Sequence, residues 1–205
     1  MAIYQYKKDI GKGSGRWLIL FLFGFMVGIF VMNLWADQFL TESSILNETA
    51  LARLKYLEVN KNSLLIYVLK KRIGAIWMIA LLSTTFLGLV SVYGYTVWLG
   101  VSMGFLMSAF AIQFGMKGIV LFLISIFPQF LLYVPAMVWL LLWGYRLTIK
   151  LYFPSKDTSV QYYSKRQMML RFLIQFFMIH GVVIIGCLLE SYVNPNFITK
   201  FLKIF

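Results

Sequence analysis

Charge is scarce in this chain, and acid scarcer than base. Of 205 residues only 13% are charged, with 7 Asp and Glu against 19 Lys and Arg, while 61% are hydrophobic. Soluble domains carry about twice that share of charge, so a soluble globular domain is excluded. Cysteine occurs once, at Cys187, and no intrachain disulfide can form. Histidine also occurs once, at His180, which excludes the two-histidine zinc helix and most metal clusters.

What the chain has instead is long uncharged runs. Residues 17–36 contain no charge, and the 44 residues between Arg72 and Lys117 contain none either. Residues 118–145 form a third run, and 172–193 a fourth, interrupted only by His180 and Glu190. A spanning helix needs about 20 apolar residues. The pattern therefore predicts an all-α polytopic membrane protein with about five spans, at 17–36, 73–93, 95–116, 119–145 and 172–193. All belong to one membrane domain. A basic tail (1–16), an amphipathic loop (37–72), a basic loop (146–171) and a tail (194–205) complete it. The first apolar stretch exceeds a signal h-region, and Asn33-Leu34-Trp35-Ala36 lacks the small residue a cleavage site needs, so it reads as a retained anchor.

The net charge of +12 would suggest nucleic acid in a soluble protein, but no nucleic-acid motif accompanies it. The bases gather where the chain leaves the membrane, at Lys7, Lys8, Lys12 and Arg16 and again along 146–171. Juxtamembrane bases attract anionic lipid. The first flank and the nearly pure basicity of 146–171 favour a cytoplasmic N-terminus. Against this, Lys70-Lys71-Arg72 directly precedes a span on the outer side.

Several local patterns have competing readings. Gly11-Lys12-Gly13-Ser14 lacks the flanking residues of a phosphate loop and reads as a linker. In the loop, Asn47 can cap a helix bearing Leu51, Leu54 and Leu57, Asn60-Lys61-Asn62-Ser63 breaks it, and an apolar piece follows at 64–69. Such helices lie on the bilayer surface or dock a partner. Gly100, Gly104 and Ser108, like Gly24 and Gly28, recur every four residues and let helices approach closely, within the chain or with another protein.

The run from 119 to 145 is too long for one straight span and holds Pro128 and Pro135, each of which removes a backbone donor. A bent or broken helix is expected, facing the protein interior, with Gln129 helping to satisfy the freed carbonyls. His180 and Glu190 stand ten residues apart, so they cannot exchange a proton within one helix. His180 reads as a neutral residue bonded to a neighbouring helix. Glu190, one turn before Asn194-Pro195 ends the helix, reads either as a carboxylate reaching water or as a buried acceptor anchoring the bent span or a partner. No nucleophile, cofactor or metal constellation is assigned, and an enzyme is not expected.

Taken in order, the motifs form a resemblance. Ile126-Phe127-Pro128-Gln129-Phe130-Leu131-Leu132-Tyr133-Val134-Pro135 resembles the Pro-Gln/His-x5-Pro segment of the stage II sporulation protein M family, and Leu189-Glu190-Ser191-Tyr192-Val193-Asn194-Pro195 its terminal Glu-aromatic-Pro signature. The Gly100–Gly104 region, followed by Gly115-Met116-Lys117-Gly118, is similar to its glycine-rich third span. Wider members carry Pro-His-Gly-x-x-Glu where this chain has Gln129, Phe130 and Tyr133, which leans toward the sporulation branch. The resemblance implies a membrane scaffold at the sporulation septum that localises the membrane-anchored D and P proteins, which thin peptidoglycan during forespore engulfment. The structural or partner candidates are then Pro128, Gln129, Pro135, Glu190, Pro195, Gly100 and Gly104. A subunit of a transporter or bacteriocin exporter is the alternative, and a homo-oligomer is left open.

Overall fold

The computed structural model describes residues 2–36, 38, 60–127, 129–153 and 165–197. Among them all regular structure is helical: α1 (Ala2–Leu34), α2 (Lys61–Ser83), α3 (Gly88–Ile126), α4 (Phe130–Tyr152) and α5 (Lys165–Leu188), which continues into a π-helical turn at Leu189–Val193. Four segments are long and apolar enough to cross a membrane: Gly15–Leu34, Gly88–Ile126, Phe130–Tyr152 and Arg166–Phe197. The chain is an all-α polytopic membrane protein. Helix α2 falls outside the four because it carries Lys61, Lys70, Lys71 and Arg72.

Helix boundaries depart from the uncharged runs in four places. Asn60 starts a helix, its side chain accepting from the backbone N–H groups of Asn62 at 3.1 Å and Ser63 at 3.3 Å, while the helix it was expected to end lies outside the described residues. The apolar piece at 64–69 and the triple base are thus one helix with residues 73–83. That helix ends inside the uncharged run, so the expected span at 73–93 is divided by a turn. The hydroxyls of Ser83, Thr84 and Thr85 each donate 2.7 Å bonds to the carbonyls of Ile79, Leu81 and Leu82, supplying the partners that a helix terminus lacks. The tail at 1–16 is helical from Ala2 rather than a linker, because extending an existing helix needs no new nucleus. Finally, the last helix does not stop at Asn194-Pro195 but runs to Phe197 through the π turn. The Asn194 N–H there reaches the Leu189 carbonyl five residues back. The wider turn accommodates a proline that has no N–H to offer. Asn47 and the leucine stripe at 51–57 lie outside the described residues.

The chain divides into two compact units, one of α1 with residues 93–122, the other of α2, the two ends of α3, α4 and α5. In the first, α1 and α3 run parallel: Trp17 stacks on Tyr93 with centroids 5.1 Å apart, and Asn33 Nδ2 donates to Ser108 Oγ at 3.3 Å. Between these contacts the two glycine rows face each other. A Cβ on Gly24 or Gly28 would strike the carbonyls of Val97 or Val101, and one on Gly100 or Gly104 those of Phe21 or Phe25. The small-residue rows are therefore occupied within the chain. Beyond them α3 turns sharply at Gly115, whose φ of 59° and ψ of −140° suit only glycine. The turn brings Phe122 to 5.9 Å from Phe110 between centroids, and Gly118 lies against the Phe110 carbonyl.

In the second unit α4 latches onto the α2–α3 turn. Thr148 Oγ1 donates to the Ser83 carbonyl at 2.8 Å and Tyr152 Oη to that of Thr84 at 2.9 Å. Gly144 and Gly88 leave the room this requires, since a Cβ on either would meet Ser83 Oγ or Thr148 Oγ1. Phe176 of α5 is the centre of the core, at 5.3 Å from Trp77 of α2 and 5.4 Å from Trp143 of α4, and Trp143 Nε1 donates to the Phe172 carbonyl at 3.0 Å. Ile76, Ile79, Leu140, Ile179 and Val183 fill the surrounding space.

Because the glycine rows lie backbone to backbone, Gly104→Leu should separate α1 from α3 and sharply lower the yield of folded, detergent-extracted protein. Overpacking of this kind costs about 1–3 kcal/mol or more. Leu106→Ala, at a half-exposed position in the same helix, should leave that yield nearly unchanged. Equal tolerance of both would mean that the row does not pack.

Candidate functional site

The helix break at 127–129 organises the polar residues of the second unit. Phe127 has φ −78° and ψ 135°, the extended conformation forced on a residue that precedes proline, so α3 must end there. Pro128 itself lies outside the described residues. Pro135 sits inside α4, five residues after its first, without ending it. The break thus falls between Phe127 and Gln129, ahead of Pro135.

Ending a helix at membrane depth strands carbonyl groups. The Ser125 carbonyl is bonded by two amides, Gln129 Nε2 at 2.6 Å and Asn194 Nδ2 at 2.8 Å. The second crosses from the π turn of the last helix, so the broken span and the Glu190 end of α5 are joined directly. A carbonyl can only accept, and this fixes both amides with their NH2 groups toward it. Both side chains are more than nine-tenths buried, and neither amide oxygen has a hydrogen-bond partner.

One turn away a charged contact ties α5 to α2. Arg72 stands 3.6 Å from Glu190 Oε2, and its guanidinium lies over the Tyr133 ring at 4.6 Å from the centroid. Tyr133 Oη donates to Cys187 Sγ at 3.3 Å, and its ring occupies the space that Gly186 leaves free. Arg72, Tyr133, Cys187 and Glu190 therefore form one cluster drawn from three helices. Glu190 is mostly covered, its side chain 22% exposed and that of Arg72 37%. It is thus a paired carboxylate rather than one simply reaching water. Tyr192 Oη further donates to Asn62 Oδ1 at 2.7 Å. Among the described residues, these contacts gather at the end of the unit opposite Lys150, which lies over the Phe172 ring at 5.3 Å. Phe172 and Glu190 are about 27 Å apart along the helix.

His180 lies between these ends, its ring 4.3 Å from Phe176 and 6.0 Å from Trp77. Nδ1 is 2.9 Å from the Phe176 carbonyl of its own helix, so Nδ1 carries the proton. It bonds backwards along α5 rather than to a neighbouring helix. Of the sequence candidates, Gln129, Glu190 and Pro195 belong to this region, Pro135 lies on the same α4, and Gly100 and Gly104 belong to the α1–α3 contact. Arg72, Ser125, Tyr133, Ser191 and Asn194 were missed. Only Asn194, beside the proline, carried a local signal. Arg72 looks like an ordinary flanking base until α2 is set against α5.

The pair can be tested as a thermodynamic coupling. Glu190→Leu strands the Arg72 charge and should lower the detergent-solubilised protein's melting temperature, with Glu190→Gln costing less. The Arg72→Leu/Glu190→Leu double variant should recover part of the loss. A double-mutant cycle should show coupling of about 0.5–3 kcal/mol. Strict additivity would leave the contact without structural weight.

Comparison with known families gives one assignment. The family model SpoIIM, stage II sporulation protein M, matches residues 17–195. No curated protein and no solved structure matches the chain. The match begins at the first span, ends on the proline of the π turn, and takes in the broken helix, the Arg72–Glu190 pair and both glycine rows. On this match the chain belongs to the stage II sporulation protein M family.

Proposed function

We propose that this chain, by its family a sporulation-related membrane protein, acts without catalysis of its own, as a scaffold in the septal membrane that localises membrane-anchored peptidoglycan-degrading enzymes, the D and P sporulation proteins, during forespore engulfment. The observation that carries this reading is how the polar side chains around the break are engaged. Arg72, Glu190, Gln129 and Asn194 tie helices to one another. That arrangement makes a stiff end of the bundle, which suits holding partners in place. With the N-terminus cytoplasmic and α2 taken as a fifth crossing beside the four apolar spans, the 146–171 loop lies inside and the Arg72–Glu190 end faces outward, where wall-cleaving enzymes work. The bases of 146–171 hold the inner face to anionic lipid.

A transport role is the second reading. One observation favours it: interrupted backbone at membrane depth is tolerated where it is enclosed by protein or lines a wet path, and the break at 127–129 is such an interruption.

Crosslinking and affinity capture from sporulating cells should recover both hydrolases with the wild-type chain and less of each with Glu190→Leu at matched membrane abundance. Recovery of an ATPase in place of the hydrolases would favour transport. Orientation is tested in a Cys187→Ser background. A cysteine at Ser44 should react with an impermeant thiol reagent in intact cells and one at Ser159 should not. The opposite labelling would reverse the topology and remove the outward docking end.

A further inference from the structure

Helix α2 has two unlike faces. One, with Val68, Ile76, Ile79 and Ala80, is turned into the core of the second unit, where α2 packs against α4 and α5. On the other, Tyr67, Lys71, Gly74, Met78 and Leu81 are all exposed, at alternating steps of four and three residues. That alternation is the seam along which two helices wind together, with a period of about 3.5. Gly74 stands at its centre, and a Cβ placed there would meet nothing within 4 Å. Gly24, Gly28, Gly100 and Gly104 differ in this, since a Cβ on any of them would strike the backbone of a packed helix. An open glycine on a membrane helix leaves room for a second backbone.

Two lysines set this face apart from ordinary lipid-facing surface. Asn62 is tied to Tyr192 in the π turn that closes α5, and Lys71 follows nine residues later, about 13 Å further along the bundle. Six residues beyond it Trp77 already faces Phe176 and His180, in the far half of the apolar run at 172–193. With α2 as the fifth crossing, Lys70 and Lys71 therefore lie alongside apolar helix rather than at its end. Both are exposed. The Lys71 ammonium rests 5.9 Å from the centre of the Tyr67 ring, one turn back. A ring attracts a cation but brings no counter-charge, and among the described residues neither lysine has an ion pair. Charges within the bilayer are costly and pair with one another or turn to the protein interior.

The spans of this chain do not supply the counter-charge. Across the four apolar spans and α2 the only carboxylate is Glu190, and it faces Arg72. A second copy brings the same set.

We propose that the Tyr67–Leu81 face of α2 docks a membrane-spanning helix of another protein, one that carries an Asp or Glu opposite Lys70 and Lys71. The carboxylate supplies the charge that lipid lacks, and Gly74 lets the two backbones come close. Arg72 pins the same helix to α5, so the charged pair holds the docking face in place. The inference rests on the scaffold reading and names the surface and the chemistry by which the scaffold holds an anchored partner.

The full chain, with a photocrosslinking residue in place of Met78, is co-expressed with each membrane-anchored hydrolase. Irradiation should join it to the hydrolase's membrane anchor, and Lys70→Leu with Lys71→Leu should reduce the adduct about five-fold or more. Changing the acidic residue of that anchor to Lys should abolish the adduct, and Lys70→Glu with Lys71→Glu should restore it. In the chain expressed alone, the leucine pair should leave the melting temperature in detergent unchanged or raised. A fall overturns the proposal, because the lysines would then serve the fold. A crosslinked anchor without an Asp or Glu overturns it as well. An adduct that survives the leucine pair does the same, and a melting temperature that responds to anionic lipid only while the lysines are present would then assign the face to lipid phosphates. Hydrolases that are captured but never crosslink at Met78 overturn the docking face and leave the scaffold reading standing. Failure to capture either hydrolase removes that reading and this inference with it.

Discussion

The structure depends on one constraint: at membrane depth every backbone carbonyl that leaves a helix must find its partner inside the protein. Among the described residues this chain ends helices at the α2–α3 turn and at the α3–α4 break, and it also bends sharply inside α3 at Gly115. At the α2–α3 turn the partners are hydroxyls, with Ser83, Thr84 and Thr85 bonding backwards and Thr148 and Tyr152 arriving from α4. At the α3–α4 break they are the Gln129 and Asn194 amides on one carbonyl. The repairs made by Thr148, Tyr152 and Asn194 are also tertiary contacts, because a side chain reaching from another helix both satisfies the group and fixes where that helix lies. The helix order of the second unit follows from where the backbone was interrupted.

The same logic explains the spread of polar residues in so apolar a chain. Hydrophobic contact does little to hold helices together in lipid, where tails are as apolar as leucine. Close packing and polar contacts take its place. The first unit relies on packing, four glycines letting α1 and α3 touch backbone to backbone. The second relies on polar contacts and on the Trp77–Phe176–Trp143 aromatic cluster, edge-to-face at Trp77 and stacked at Trp143. Glu190 would be expensive alone at this depth. Opposite Arg72 it becomes a contact between α2 and α5.

For a sporulation membrane protein, a stiff polar end has a plain use. In the proposed scaffold role the chain would hold wall-remodelling partners, and a cluster drawn from three helices resists movement better than a loop. The π turn that closes this end also admits Pro195 into a helix the proline would otherwise stop.

The sequence alone was sufficient for the class. Runs of uncharged residues impose helices that cross a bilayer, because no other open structure satisfies its backbone there, and Pro128 imposed a break through the conformation it demands of Phe127. The glycine spacing showed close packing but not its partner, and Gln129 was legible as a carbonyl's donor. Hydropathy could not show the turn at 84–87, since serine and threonine hide in an apolar run by bonding to their own helix. It could not show that Asn60 begins a helix which carries three adjacent bases into the second unit. Nor could it pair Arg72 with Glu190 or bring Asn194 to Ser125. These residues are 118 and 69 positions apart, and their meeting is decided by the order in which helices pack, information that no local pattern of residues contains.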